Sequence, residues 1–230
     1  MENTSTNFCE SSNKIGQKIS KIIEKSFILS PSSISCVLSL IHLASGESSY
    51  NQLLNIFERV NTFDDIEVVK QLCNNQGQNN TFIKLMNCVL IDDKIEINKE
   101  YMDMLKKVAE VLHRNFEDNT NIATECNKII ETNTNSLIKD CIDPLQITLD
   151  TRLILINTIY FKSLWSNAFV ESKTKEKMFN NSTKIMMMMN IASIPYYEDD
   201  MVQIIFLSYV DNNHGFLNKL CLFKKACTKK

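Results

Sequence analysis

The sequence predicts an α+β fold in which helices come first and the longest sheet strand follows. The first half of the chain carries apolar residues mainly at helical spacing. Residues 151–161, TRLILINTIYF, are rich in β-branched residues and apolar on both faces, which is typical of a strand inside a sheet. The later segments KIMMMMN and MVQIIFLSY read as shorter strands. Helices and strands are therefore expected in separate layers.

Length and composition limit the class of protein. The 230 residues carry a net charge of −2, with 44% hydrophobic and 23% charged residues. A chain of this length can bury a substantial core, and its near-neutral charge argues against nucleic acid as a partner. No run of 18 apolar residues occurs, so no contact with a membrane is expected. The polar N-terminus has no apolar signal-peptide core, which predicts a cytoplasmic protein.

The predicted helices begin with residues 8–24, which carry isoleucines at helical spacing and are polar elsewhere. Ser30 and Pro31 then open a second helix, because serine is a favoured N-cap and proline is a favoured first helical residue. This helix continues to about Ala44 and is apolar nearly all round, so it is expected to be buried. Gly46 is expected to close it.

The middle of the chain alternates between predicted helices and strands. The predicted segments are helices at 48–58, 63–73 and 124–138, and strands at 26–29 and 82–93. Asn98 is expected to cap a further helix. The apolar stripe of that helix is formed by Tyr101, Leu105, Val108 and Leu112.

Asn157 is a polar residue at the centre of the apolar strand 151–161. Alternation along the strand places its side chain on the same face as leucine and isoleucine residues, pointing into the packed interior. A buried amide without hydrogen bonds is costly, so Asn157 needs partners. It is either a structural residue whose hydrogen bonds are satisfied or part of a functional mechanism. The candidate partners are the hydroxyl groups of the buried helix, Ser30, Ser33 and Ser35.

Several segments, in chain order, resemble the serpin family. FILSPSSISCVL resembles the serpin segment in which S-P-x-S-I-S leads into the buried second helix. LILINTIYFKSLWSNAF is the most specific match and resembles L-[VI]-L-[VI]-N-[AT]-[IL]-Y-F-K-G-x-W-x-x-P-F. Three other segments, FIKLMNCVLIDDKIEINKEYMDML, NKIIETNTNSLIKDCID and KIMMMMN, are similar to other serpin elements. The resemblance covers roughly residues 8–210.

The resemblance implies a serpin-like fold, with N-terminal helices packed on a large mixed or antiparallel sheet. It implies that Ser30, Ser33 and Asn157 are positions of the "shutter", a hydrogen-bonded patch beneath the centre of that sheet. It also implies that Trp165 caps the "breach", where the reactive loop first enters. The implied activity is suicide inhibition of a serine protease, or alternatively a cysteine protease, by insertion of the loop into the sheet. By family analogy, the extracellular space is the alternative location.

The C-terminal residues depart from the serpin pattern. Ser163 stands where the family has Gly, and Ala168 where it has Pro. Beyond these, the sequence ends in HGFLNKLCLFKKACTKK, which is basic and contains no segment that resembles a reactive loop. The sequence therefore predicts a partial serpin domain at 1–211, incomplete at the C-terminus, and a basic tail at 212–230.

The missing loop gives two expectations for function. The chain as given is expected to be non-inhibitory, although the family that it resembles inhibits proteases. The alternative is a serpin-derived interaction fragment that binds partners, or associates with itself, through the open edge of strand 151–161, because unpaired edges recruit other strands.

Neither a catalytic nor a metal-binding motif is recognised. The eight cysteines include no C-x-x-C pair and no histidine at zinc-site spacing, so reduced structural thiols are expected. His42, His113 and His214 stand outside any known catalytic pattern, and there is no nucleophile elbow, P-loop or dinucleotide-binding motif. The sequence therefore predicts no enzymatic activity and no cofactor.

Overall fold

The structure is a computed structural model that describes residues 2–25, 27–58, 65–74, 81–179, 182–199, 202–210 and 220–225. The chain divides into two compact units, one formed by Met1–Gln76 with Ile83–Tyr160 and the other by Gly77–Phe82 with Phe161–Lys230. The helices are α1 (Glu2–Ile22), α2 (Pro31–Ala44), α3 (Glu47–Phe57), α4 (Asp65–Asn74), α5 (Lys99–Leu105) and α6 (Asn119–Asn133). The strands are β1 (Phe82–Asp92), β2 (Glu110–Arg114), β3 (Leu153–Lys162), β4 (Lys175–Phe179), β5 (Thr183–Met187), β6 (Tyr196–Glu198), β7 (Val202–Leu207) and β8 (Leu220–Lys225). The predicted α+β class is confirmed.

The main sheet of the first unit has the strand order β2-β1-β3. Strand β1 runs parallel to β2, with Cys88 opposite Glu110 at one end of the pairing. Asp92, at the end of β1, donates its backbone N–H to the carbonyl of Arg152 at 3.0 Å, just before β3 begins. Since Asn87 lies beside Asn157, higher numbers on β1 meet lower numbers on β3, and these strands are antiparallel. The sheet is therefore mixed.

Strand β1 is the centre of the first unit, because both of its faces are covered. Its odd-numbered residues, including Val89 and Ile91, join an apolar cluster with residues of α1, α2, α4 and α5. Its even-numbered residues Cys88 and Leu90 join a second cluster with α6. Each buried aliphatic side chain contributes about 1.5–3 kcal/mol relative to exposure. The sheet is thus packed between two helical layers, as the alternation of a doubly covered strand requires.

Helix α6 is also held to β2 by an ion pair. The Arg114 guanidinium donates from Nε and Nη2 to the two carboxylate oxygens of Glu125, at 2.7 and 2.6 Å. This two-point geometry suits a guanidinium and a carboxylate. The hydrogen bond from Arg114 holds the pKa of the Glu125 carboxyl below its usual range.

Helix α2 occupies the predicted residues, but its flanks differ from the prediction. Residues 27–29 lie in no strand, and Ile28 is fully exposed; residue 26 lies outside the described part of the chain. A strand needs a hydrogen-bonded neighbour, and no described strand pairs with this segment. Gly46 does not close α2 in a left-handed conformation. Its φ is −69°, and it is the N-cap of α3, while Ser45 ends α2.

The predicted apolar stripe from Tyr101 to Leu112 is wrong beyond Leu105. Asn98 caps α5 as predicted, but α5 ends at Leu105, and Leu112 lies in β2 opposite Leu90. Pairing with the buried strand β1 prevails over helical spacing here, because packing and ladder bonds outweigh local propensity.

The bounds predicted for the last helix and the position predicted for β3 also need correction. Helix α6 begins at Asn119 because the Asp118 carboxylate accepts the N–H of Asn121 at 3.0 Å, and it ends at Asn133, leaving Leu137 75% exposed. Strand β3 matches its predicted residues. It lies at the end of the described strand order rather than inside it.

The second unit contains two antiparallel sheets. Strands β4 and β5 form a hairpin in which Glu176 and Lys184 make an ion pair of 2.8 Å. Strands β6, β7 and β8 form the other sheet. Strand β8 falls within the predicted tail at 212–230, and residues 211–219 and 226–230 lie outside the described part of the chain. The division at residue 211 stays a prediction. Among the described residues, no helix is both long and apolar enough to cross a membrane.

Gly16 of α1 tests the packing of α1 against the start of α2. A Cβ at this position would lie 2.7 Å from Cγ of Pro31. We expect Gly16→Ala to lower the free energy of unfolding by about 1–2 kcal/mol, because overpacking against a rigid ring outweighs the better helix propensity of alanine. Urea unfolding measures this. Gly46→Ala is the control for an added Cβ, since no atom lies within 4 Å of it; its expected cost is only that of alanine at the N-cap of α3, about 0.5 kcal/mol. A Gly16→Ala protein as stable as the parent would contradict the packing described here.

Candidate functional site

The start of α2 is set by its capping residue. The Ser30 hydroxyl accepts the backbone N–H of Ser33 at 3.3 Å, and Pro31 occupies the first helical position. This satisfies one of the free N–H groups at the helix start and fixes the orientation of the first turn. Ser33 is thereby held in the first turn of α2, facing β3.

A continuous hydrogen-bonded network runs from Ser33 across β3 and β1. The Ser33 hydroxyl donates to Oδ1 of Asn157. The Asn157 amide Nδ2 donates to Oδ1 of Asn87 at 2.7 Å. The Asn87 amide Nδ2 donates to the carbonyl of Val108 at 3.0 Å and lies 3.3 Å from Sγ of Cys73. The network thus links α2, β3, β1 and the segment before β2, and its central member Asn87 is only 2% exposed.

The predicted shutter residues take different positions in this network. Ser33 and Asn157 are joined directly, whereas Ser30 acts on the backbone of Ser33 and not on the Asn157 amide. Ser35 is buried, and its hydroxyl has no hydrogen-bond partner among the described residues. Sequence reasoning missed Asn87. The signal was available, because Asn87, like Asn157, is a single amide inside an apolar strand.

Trp165 lies in the second unit, in a cluster of three aromatic rings. It stacks on Tyr209, with ring centroids 4.5 Å apart and planes 14° apart, and Phe161 meets the same tyrosine edge-on at 5.1 Å. The Ser166 hydroxyl also donates to the Tyr209 carbonyl at 2.6 Å. Burial raises the pKa of the Tyr209 hydroxyl. Trp165 also forms an antiparallel backbone bridge with Tyr209, so it is anchored by both stacking and backbone pairing.

Ser163, which departs from the serpin pattern, has a partner. Its hydroxyl forms a 2.7 Å hydrogen bond with the hydroxyl of Thr81, a buried residue just before β1. Either hydroxyl can donate. A serine in place of glycine is thus accommodated by a polar contact rather than left unsatisfied.

Three thiols in the apolar clusters on the two faces of β1 are partly or fully buried. Burial raises the pKa of Cys73 to about 11 and that of Cys126 to about 11. It raises the pKa of Cys88 to about 12. Of the six cysteines whose side chains are described, none forms a disulfide. Such thiols are poor nucleophiles near neutral pH. The described residues also contain no cluster of three or more potential metal ligands.

The family is decided by comparison with known proteins. The family model described as serpin (serine protease inhibitor) matches residues 7–220. The chain belongs to the serpin family. The match agrees with the resemblance found in the sequence, and members of this family are generally inhibitors rather than enzymes.

Individual serpins align with large parts of this chain. An uncharacterized serpin-like protein of Acanthamoeba polyphaga mimivirus is 30% identical over 190 residues, covering 81% of this chain and 46% of that protein. Neuroserpin of Homo sapiens is 26% identical over 162 residues, covering 68% of this chain and 40% of neuroserpin. Serine protease inhibitor 42Dd of Drosophila melanogaster is 28% identical over 222 residues, covering 89% of this chain and 59% of that inhibitor. The chain spans about half the length of these relatives.

Solved serpin structures share the fold. Ovalbumin from emu (Dromaius novaehollandiae) aligns with a TM-score of 0.80 at 20% identity, covering 96% of this chain and 62% of ovalbumin. Cleaved kallistatin complexed with heparin aligns with a TM-score of 0.78 at 19% identity, covering 96% of this chain and 67% of kallistatin. The predicted serpin-like fold is confirmed.

Alkylation rates test the burial of the thiols. At pH 8 we expect iodoacetamide to modify the exposed Cys141 at least about a hundredfold faster than Cys88 or Cys126, because a raised pKa leaves little reactive thiolate. Time-resolved peptide mass spectrometry measures each rate. In 8 M urea the three rates should converge. Native Cys88 reacting as fast as Cys141 would contradict the buried position described here.

Proposed function

We propose that the protein, in an endogenous form longer than these 230 residues, inhibits a serine-type endopeptidase by inserting a reactive loop as a new strand beside β3. A cysteine protease is the alternative target class. The observation that carries the proposal is the bond from Ser33 to Asn157, which ties β3 to the buried helix α2 in a chain of the serpin family. We assign Ser30, Ser33 and Asn157 to the shutter and Trp165 to the breach.

The arrangement of β3 supports this proposal. Strand β3 is the last strand in the described order β2-β1-β3, so its outer edge is available for pairing with an added strand. Its side chains at Ile159 and Leu153 are more than a third exposed. The amide of Asn157 has hydrogen-bonding partners on the inner side, so β3 can accept a neighbour without losing them.

We further propose that these 230 residues alone do not inhibit. Their sequence contains no segment that we interpret as a reactive loop, and specificity in such inhibitors resides in that loop. The second candidate function is a partner-binding or self-associating role of the open edge of β3. A cavity of about 520 Å³ beside the first half of β3, lined by Leu153, Leu155, Ile41 and Tyr101 among others, supports this role because a strand added by a partner, like an inserted loop, needs room for its side chains.

The intact mass of the endogenous protein separates the two candidates. For the inhibitor, we expect a mass well above 26.5 kDa. We also expect an SDS-stable, one-to-one covalent complex with at least one serine protease of a broad panel. A mass near 26.5 kDa and no stable complex would overturn the inhibitor proposal and leave the edge-binding role. A larger protein that proteases only cleave would also overturn it.

Asn157→Ala tests the proposed shutter. Removing the amide takes the bonding partner from the Ser33 hydroxyl and from Oδ1 of Asn87, and should cost about 1–3 kcal/mol. If the network restrains β3, the variant should also polymerise several-fold faster on mild heating, measured by native gel electrophoresis. Asn127→Ala is the control, because the Asn127 amide, on α6, makes its two bonds to the backbone of Ile142 and so lies outside the Ser33–Asn157–Asn87 network. Equal polymerisation of the two variants at equal stability would contradict the assignment.

A further inference from the structure

The hydrogen-bonded network has a fixed direction, and the Val108 carbonyl sets it. A backbone carbonyl can only accept, so the Asn87 amide must present Nδ2 to Val108. Asn87 then presents Oδ1 towards β3, and only the Nδ2 group of Asn157 can satisfy it. Asn157 is left with Oδ1 facing α2, so Ser33 must donate its hydroxyl proton. Any single amide flip would place two acceptors or two donors face to face.

We infer that Asn87 is a positioning residue, which fixes the orientation of the Asn157 amide and thereby the role of Ser33 as a donor. The inference rests on the proposed function in one respect: the purpose that we assign to this orientation is the control of β3. The Asn87 amide is suited to the role because it is buried, belongs to the strand with both faces covered, and is anchored to backbone.

The Cys73 thiol strengthens this anchor. Its sulfur lies 3.3 Å from the Asn87 Nδ2 group and 3.8 Å from the carbonyl oxygen of Val108. Sulfur is a weak acceptor and S–H a weak donor, so this thiol can take the second amide proton of Asn87 and donate to the same carbonyl. Burial keeps it protonated, because it raises the pKa of Cys73 to about 11. Both amide protons of Asn87 are therefore held on the side away from β3 and Asn157 bonds only to Oδ1.

A double-mutant cycle tests whether Asn87 affects Ser33 by orienting the Asn157 amide between them. Ser33 and Asn87 each bond to Asn157 on opposite sides of its amide. In the protein at its endogenous length, Ser33→Ala and Asn87→Leu should be coupled by about two- to tenfold in the unfolding equilibrium constant, measured in urea. Once Asn87 is gone, the Asn157 amide can turn, and loss of Ser33 matters less. The control pair, Ser33→Ala with Asn127→Leu, should be additive.

The pH profile of a second variant separates orientation from packing. In Asn87→Asp, a protonated carboxyl can donate to Val108 and accept from Asn157, whereas an ionised carboxylate can do only the second. Burial raises the folded-state pKa of such a group, so its stability is present at low pH and is lost as pH rises through that raised value. We expect Asn87→Asp to be more stable than Asn87→Leu at low pH and less stable at neutral pH.

Each result decides the inference. Coupling between Ser33 and Asn87 together with the crossing of the two pH profiles supports it. Additive effects, or Asn87→Leu at least as stable as Asn87→Asp at every pH, would overturn it, because a residue that only fills space gives those results. Unfolding is measured without any protease. Absence of a protease complex therefore bears on the proposed function alone, and additivity bears on the positioning role alone.

Discussion

The half-buried amide of Asn157 constrains much of the first unit. An amide held within an apolar strand must keep its donors and acceptors satisfied, and the cost of failing to do so is about 1–3 kcal/mol for each group. Satisfying it requires Ser33 on one side and Asn87 on the other. Ser33 can be in place only if Ser30 caps α2, and Asn87 is correctly turned only if Val108 lies beside it. The cap of α2 and the approach to β2 are therefore tied to one side chain.

The apolar packing around the hydrogen-bonded network differs between β1 and β3. Strand β1 is buried on both faces by two apolar clusters, whereas β3 has a buried middle and exposed ends. Local opening costs least where few apolar contacts are lost, so the exposed ends of β3 open more readily than the doubly covered strand β1. A polar network beneath such a strand holds it by directional bonds that can be re-formed with another partner. An apolar contact of the same strength would have no such preference for geometry.

Strong local signals in the sequence predict much of the fold, and tertiary pairing decides the rest. Ser30 with Pro31 fixed the start of α2, because cap and proline chemistry act within one turn. Leu112 was misplaced because a helical stripe and a short parallel strand have similar local patterns, and only pairing with β1 distinguishes them. Asn157 could be singled out in the sequence, since a lone amide in an apolar run demands partners. The identity of Asn87 as that partner depends on a contact 70 residues apart.

The pair of amides also specifies the register between β1 and β3. Side chains alternate between the two faces, so a slip of β3 by one residue would turn Asn157 from the α2 side to the α6 side of the sheet. There it would meet the apolar cluster that contains Ile122 and Cys126, where both ends of the amide would lose their bonds. The aliphatic residues of β3 alone would tolerate that slip, because both faces of the strand are apolar. The polar residue therefore specifies a register that the apolar residues alone would leave open, and it does so on the strand that ends the described order β2-β1-β3.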